Sequence, residues 1–186
     1  MAPRSPISRR PKSKAADLDG DEASAHVLLS WVHEAEHRSD LAETAIGRAV
    51  ELNPGDLDVR AERGAIYLDQ DRLDEAIHEF ETVLSFDPIS DPTWEDLGTA
   101  YYFAGRLKDA VAILEQNLGR KPDRVSAWVV LAATYADMKL EPQARNAAVR
   151  VLRLSPFFAA KHFTATFAQP SQRERLAAGL HRAGLP

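Results

Sequence analysis

Apolar, small and aromatic residues recur along this chain with a period of 34 residues. Four prolines mark the period: Pro54, Pro88, Pro122 and Pro156. Counting back from each proline divides the chain into blocks 23–56, 57–90, 91–124 and 125–158. A fixed period of this length is typical of a stack of small repeated units rather than of one irregular globular core.

Each block has the pattern of two helices. Positions 4, 7, 8 and 11 lie on one face of a helix with 3.6 residues per turn, and in the third block they are Trp94, Leu97, Gly98 and Tyr101. Position 20 is always alanine, at Ala42, Ala76, Ala110 and Ala144. Small residues at positions 8 and 20 let two helices approach closely, and larger residues fill the space beside them. The proline then ends the second helix. The pattern therefore predicts an all-α protein built from helix hairpins.

The third and fourth blocks resemble the tetratricopeptide repeat. The matching residues are Trp94, Leu97, Gly98, Tyr101, Ala110 and Pro122, and then Trp128, Leu131, Tyr135, Ala144 and Pro156. The first block departs from the pattern at His26 and His33, and the second at Arg60 and Arg63. The resemblance implies a right-handed solenoid of stacked antiparallel helix hairpins over residues 23–158.

The segments on either side of the repeats differ in character. Residues 1–20 contain three prolines, have a net charge of +3 and lack a helical apolar period, so we expect a disordered basic tail. Residues 21–186 form the predicted repeat domain, in which 157–186 provide capping helices that shield the last repeat. The final residues also loosely resemble tails of repeat regions attached to some bacterial nucleotide cyclases.

The family resemblance implies a concave groove lined by the first helix of each hairpin. We expect partner contacts at positions 2, 5, 9, 12 and 13 of the blocks. These candidates are Trp31, Glu34, Asp58, Leu68, Asp69, Glu95, Tyr102, Phe103, Val129 and Asp137. Aromatic anchors among carboxylates favour a peptide or helix that carries basic and apolar residues.

Composition and charge narrow the partners further. The chain of 186 residues has no cysteine, which excludes disulfides and thiolate metal sites. It has neither a secretory signal nor an apolar run long enough to cross a membrane, so we expect a cytoplasmic protein. The tail lacks aromatic residues for stacking on bases, which makes nucleic acid an unlikely partner. Self-association is a further option.

One motif carries candidate chemistry. Residues 33–37 satisfy H-E-x-x-H, the zinc metalloprotease signature. His33 falls at the position where the other blocks have tyrosine, and His37 falls at the turn between two predicted helices. We therefore expect packing rather than metal binding. The sequence predicts no catalytic residue, no metal site and no cofactor.

The leading functional hypothesis is a non-catalytic scaffold or adaptor that binds a protein partner in the groove. The alternative is a regulatory or assembly module that acts in trans on an enzyme. A zinc metalloprotease is the remote third hypothesis.

Overall fold

The computed structural model describes the backbone of residues 14–36 and 38–186, and side chains from residue 22 onward. These residues form ten helices. They are α1 (Lys14–Ala35), α2 (Ser39–Leu52), α3 (Leu57–Asp69), α4 (Leu73–Phe86), α5 (Asp91–Phe103), α6 (Leu107–Arg120), α7 (Val125–Asp137), α8 (Glu141–Leu154), α9 (Ala160–Thr164) and α10 (Pro170–Ala183). Over these residues no helix is long and apolar enough to cross a membrane.

The chain divides into two compact units. Unit 1 ends at Val59 and contains α1 and α2, which pack against each other through Ala42, Ile46 and Ala49 of α2. Unit 2 comprises Arg60–Pro186 and contains three hairpins, followed by α9 and α10. The candidate site described below lies within unit 2.

The helices follow the period found in the sequence. The first helices of the second, third and fourth repeats begin at Leu57, Asp91 and Val125, and the second helices at Leu73, Leu107 and Glu141. Each set of starts is spaced by the 34 residues that separate the prolines. The prediction of an all-α fold of stacked helix hairpins is confirmed.

Close helix contacts explain the glycines at position 8. A Cβ atom added at Gly98 would lie 2.5 Å from Cδ2 of Leu114, and one added at Gly64 would lie 2.6 Å from Cε1 of Phe80. Both partners come from position 24 of the same repeat. The small residue on the first helix therefore lets the large residue of the second helix pack against its backbone.

The second repeat replaces apolar packing with buried charge. Arg60 and Arg63 stand at positions 4 and 7, and both contact Glu79 of α4, at 3.4 Å and 2.5 Å. Glu79 is only 4% exposed. Because a buried carboxylate without a cation is costly, the two arginines and the glutamate act as a unit that preserves the hairpin. The departure noted in the sequence is therefore compensated within the same repeat.

The segments at the two ends of the repeat region also contain helices. Helix α1 begins at Lys14, inside the predicted tail, where Ala15, Ala16 and Leu18 are good helix formers and no proline interrupts them. Residues 1–13 lie outside the described part of the chain. The segment after Pro156 contains a short helix of five residues, α9, and then α10, which ends at Gly184 in a left-handed conformation (φ 91°).

Candidate functional site

Helix α10 lies on one side of the stacked first helices of unit 2. We define the inner face as the surface of α3, α5 and α7 that contacts α10 and the α9 segment. Leu176 and Leu180 of α10 are completely buried there, and Ala183 and Leu185 are almost so. The sequence predicts only that residues 157–186 cap the last repeat, but α10 also reaches the two repeats before it.

The N-terminal end of α10 is held by α3. The amide Nε2 of Gln172 donates to the backbone oxygen of Leu68 at 2.9 Å and to Oδ1 of Asp71 at 3.0 Å. Gln169 Nε2 donates to the backbone oxygen of Asp69 at 2.7 Å. These carbonyls lie in the last turn of α3, where no further helix turn supplies partners, although that of Leu68 also accepts from the backbone N–H of Asp71 at 3.1 Å.

Two arginines hold the rest of α10. Arg175 donates to the backbone oxygen of Phe103 at 2.7 Å, and its guanidinium carbon lies 4.7 Å from the centre of the Tyr102 ring. Its Nε lies 3.5 Å from Oδ2 of Asp137, and Arg182 bonds the other oxygen of that carboxylate. Asp137 therefore has two cations beside it, both from α10.

Helix α10 approaches α7 very closely at one point. A Cβ atom added at Gly179 would lie 2.9 Å from Cβ of Ala133 and 3.1 Å from the hydroxyl of Tyr102. The nearest atoms on α7 are a Cβ and a Cα, which cannot rotate away. Glycine at position 179 therefore allows α10 to pack this closely against α7.

The remaining part of the inner face is an open pocket of about 250 Å³. Its lining residues come from the three first helices and the α9 segment: Ala65, Leu68, Asp69, Glu95, Asp96, Thr99, Ser126, Ala127, Val130, Phe163, Thr166 and Phe167. Phe167 packs edge-on against Phe103, with 5.2 Å between ring centres, which ties the aromatic wall to α5. The pocket is therefore acidic on one side and aromatic on the other.

The carboxylates of this pocket have unequal surroundings. Glu95 is bonded by Arg124 and by the hydroxyl of Ser126. Over the described residues, the side chains of Asp69 and Asp96 have no hydrogen-bond or ion-pair partner. Burial and the nearby Glu62 raise the pKa of Asp69 to about 6. Burial, followed by Glu95 and Glu62, raises the pKa of Asp96 to about 7.

The candidate contacts from the sequence fall into four groups in the structure. Leu68, Asp69 and Glu95 line the open pocket, whereas Tyr102, Phe103 and Asp137 contact α10. Val129 is completely buried, and Tyr102 and Phe103 are buried as well. In this conformation neither Tyr102 nor Phe103 is open to a partner, because α10 and the α9 segment cover them.

The other three candidates belong to unit 1. Trp31 is 49% exposed, Asp58 is exposed and Glu34 is half-buried. Trp31 lies on an apolar side of α1 together with Leu28, Leu29 and Val32, all of which are about half exposed. These positions stay candidate contacts.

The H-E-x-x-H motif is only partly within the described residues. His33 is half-buried, with Nδ1 3.8 Å from Glu36 and without a hydrogen bond. Helix α1 ends at Ala35, and His37 lies outside the described part of the chain. Three residues that stand where His37 stands in the other repeats have positive φ angles: Asp71, Gly105 and Lys139.

Sequence reasoning missed several residues of this site. Asp96 stands at position 6, which the groove pattern does not include, although Glu62 at the same position of the preceding repeat is also acidic. That repetition is the signal that could have found it. Arg175 and Arg182 carry no such signal, because α10 lies outside the repeats.

Comparison with known proteins identifies the family. Two tetratricopeptide repeat models match residues 27–88 and 67–129, and together they span more than half of the chain. The chain belongs to the tetratricopeptide repeat family.

Curated relatives match this tetratricopeptide repeat chain over a small part of their length. Superkiller protein 3 of Saccharomyces cerevisiae is 21% identical over 131 residues, which cover 67% of this chain and 9% of that protein. Protein O-mannosyl-transferase TMTC1 of Mus musculus is 30% identical over 100 residues, which cover 52% of this chain and 11% of that protein. The chain thus spans about a tenth of each relative.

Solved structures share the fold of this tetratricopeptide repeat chain. The MamA protein has a TM-score of 0.68 at 17% identity, covering 88% of this chain and 91% of that one. YrrB, described as a tetratricopeptide repeat protein with an unusual peptide-binding site, has a TM-score of 0.63 at 19% identity, covering 92% and 89%. PilF of Pseudomonas aeruginosa has a TM-score of 0.68 at 17% identity, covering 93% and 80%. At these identities the likeness establishes the fold alone.

The resemblance of the C-terminal residues to cyclase-attached regions stays a prediction.

Proposed function

We propose that this chain is a non-catalytic scaffold or adaptor that binds a segment of a partner protein at the open pocket of the inner face. The observation that carries the proposal is α10 itself. A helix bearing arginines, leucines and a glycine already lies on this surface, held by Asp137, the Tyr102 ring and the ends of α3 and α5. The inner face is therefore suited to a segment with basic and apolar residues.

The partner enters beside α10 rather than in its place. Leu176, Leu180 and Ala183 of α10, and Leu185 just after it, are at most 2% exposed. Burying one large aliphatic side chain contributes about 1.5–3 kcal/mol, so a competing helix would first have to overcome several such contributions. The pocket lined by α3, α5, α7 and the α9 segment needs no such displacement, and α10 then forms part of its boundary.

The family supports binding as the activity. YrrB, which shares the fold, is described as having a peptide-binding site. Stacked helix hairpins present extended surfaces of this kind. The charged residues that line this pocket are all carboxylates, which favour a partner with basic residues over one with an acidic terminus.

Photo-crosslinking in the native host tests the proposal. A benzoylphenylalanine at Thr166, which is exposed at the pocket, is expected to trap a defined partner. The same group at Ser85, exposed on α4, is the matched control and is expected to trap none of it. A partner trapped equally from both positions, or from neither, would overturn the proposed function.

A further inference from the structure

The open pocket has the size and wall chemistry of a site for one side chain. Its volume of about 250 Å³ is below the usual range for drug-sized ligands. Phe163 and Phe167 provide an aromatic wall, and Asp69 and Asp96 provide carboxylates from α3 and α5. A long amphipathic side chain places its carbon stem on such a wall and its charged end at the carboxylates.

The charges around the pocket do not balance. Asp69 faces it from α3, and Glu95 and Asp96 face it from α5. Arg124, which precedes α7, is the cation that acts on Asp96, and it is bonded to Glu95. The α9 segment contributes Phe163, Thr166 and Phe167 to the lining, none of which is charged. Asp96 is half-buried at this pocket and has no hydrogen bond or ion pair among the described residues, and a carboxylate partly withdrawn from water is costly unless a cation joins it.

At the other end of the inner face, a carboxylate beside an aromatic ring is paired with an arginine. The guanidinium of Arg175 contacts both Asp137, 3.5 Å from Nε, and the Tyr102 ring, whose centre is 4.7 Å from the guanidinium carbon. On this surface, the site formed by a carboxylate and a neighbouring aromatic ring is thus occupied by an arginine side chain of the chain itself. The open pocket repeats the combination with Asp69, Asp96 and the two phenylalanines, but neither aspartate is in an ion pair among the described residues.

We propose that the open pocket binds the side chain of a lysine or arginine from the partner segment, with its stem on Phe163 and Phe167 and its charge at Asp69 and Asp96. This inference rests on the proposed function and adds the chemistry of the contact. The aromatic wall favours an organic cation, because a metal ion would gain nothing from carbon surfaces and would need more oxygen ligands.

A titration of the full chain with a small probe tests the inference without any partner. The probe is Nα-acetyl-lysine methylamide, and the control probe is its norleucine counterpart, which has the carbon stem without the charge. Methyl resonances of Ala65, Ala127 and Val130 in the pocket report binding by NMR. Saturable shifts are expected with the lysine probe, and at least about tenfold weaker binding with the norleucine probe.

Matched variants assign the binding to the pocket. Asp96→Asn is expected to weaken the lysine probe about tenfold, and Asp69→Asn provides a second variant if the first fails to fold. Glu141→Gln alters an exposed carboxylate on α8 and is expected to leave binding unchanged. Equal binding of both probes, or full binding by both aspartate variants, would overturn the inference, as would tighter binding of Ca²⁺ than of the lysine probe. Such a result leaves the crosslinking outcome at Thr166 unaffected, so the two proposals fail separately.

Discussion

The two ends of the inner face carry the same kind of side chain in opposite circumstances. At the closed end, Asp137 has Arg175 and Arg182 of α10 beside it. At the open end, Asp69 and Asp96 line a pocket, and neither side chain has a hydrogen bond or an ion pair in the part of the chain that the structure describes. The chain thus pairs Asp137 with its own arginines, whereas the carboxylates of Asp69 and Asp96 are not in an ion pair among the described residues. That difference is the reason why we propose the open end as the binding site.

The largest expected effect comes from disturbing the closed end at Gly179. In Gly179→Ala the new Cβ would lie 2.9 Å from Cβ of Ala133, so α10 has to move away from α7. We expect a loss of about 2 kcal/mol in the free energy of unfolding, measured by urea denaturation. Amide hydrogen exchange along α10 is expected to speed up as well.

Gly119→Ala is the matched control for this change, because no atom lies within 4 Å of the Cβ it would add on α6. Alanine is the better helix former, so this variant is expected to be equal to the native chain or up to about 1 kcal/mol more stable. Equal stability of the two variants would contradict the close contact between α10 and α7 at Gly179.

The second effect concerns the open end. Asp96→Asn removes a carboxylate whose pKa is raised to about 7 in the folded chain by burial and by neighbouring carboxylates. Because the fold favours the protonated acid, the native chain keeps its stability below pH 4 and loses it as the pH rises towards 7. We expect the variant to be about 2 kcal/mol more stable at pH 8 and close to the native chain at pH 4. A difference that is the same at both pH values would show that the charge of Asp96 is not the cause.

The third effect removes a cation from the closed end. Arg175→Met takes away the contact with Asp137, the bond to Phe103 and the stacking on Tyr102. The expected loss is about 1.5 kcal/mol by thermal unfolding. Arg145→Met breaks an exposed pair with Glu141 on α8 and is expected to cost less than about 0.5 kcal/mol. If Arg145→Met lost as much stability as Arg175→Met, the contacts of Arg175 with the inner face would contribute no more than an exposed ion pair.

The repeat architecture could be predicted from the sequence because its determinants are local. The alternation of large residues with Gly98 and Ala110 specifies each hairpin through contacts within one repeat, and the prolines fix where the second helices end. Those contacts span short stretches of chain, so the period of 34 residues encodes them directly.

The candidate site could be predicted only in part. Asp69, Tyr102 and Asp137 were found because they follow the groove positions of the repeat. The position of α10 could not be found in this way, since Gln172 and Leu68 are separated by 104 residues and belong to no common period. The sequence therefore indicated a surface for basic and apolar residues, but not that α10 of the same chain covers part of that surface.

The most direct test of the account is the titration of the Asp96 carboxyl carbon by NMR in the full chain, with and without the lysine probe. The account predicts a pKa of about 7 for the free chain and a lower value when the probe is bound, because the added cation stabilises the charged form. A pKa near the ordinary value of about 4 in the free chain would contradict it, since the carboxylate would then already have a cation beside it or be fully hydrated.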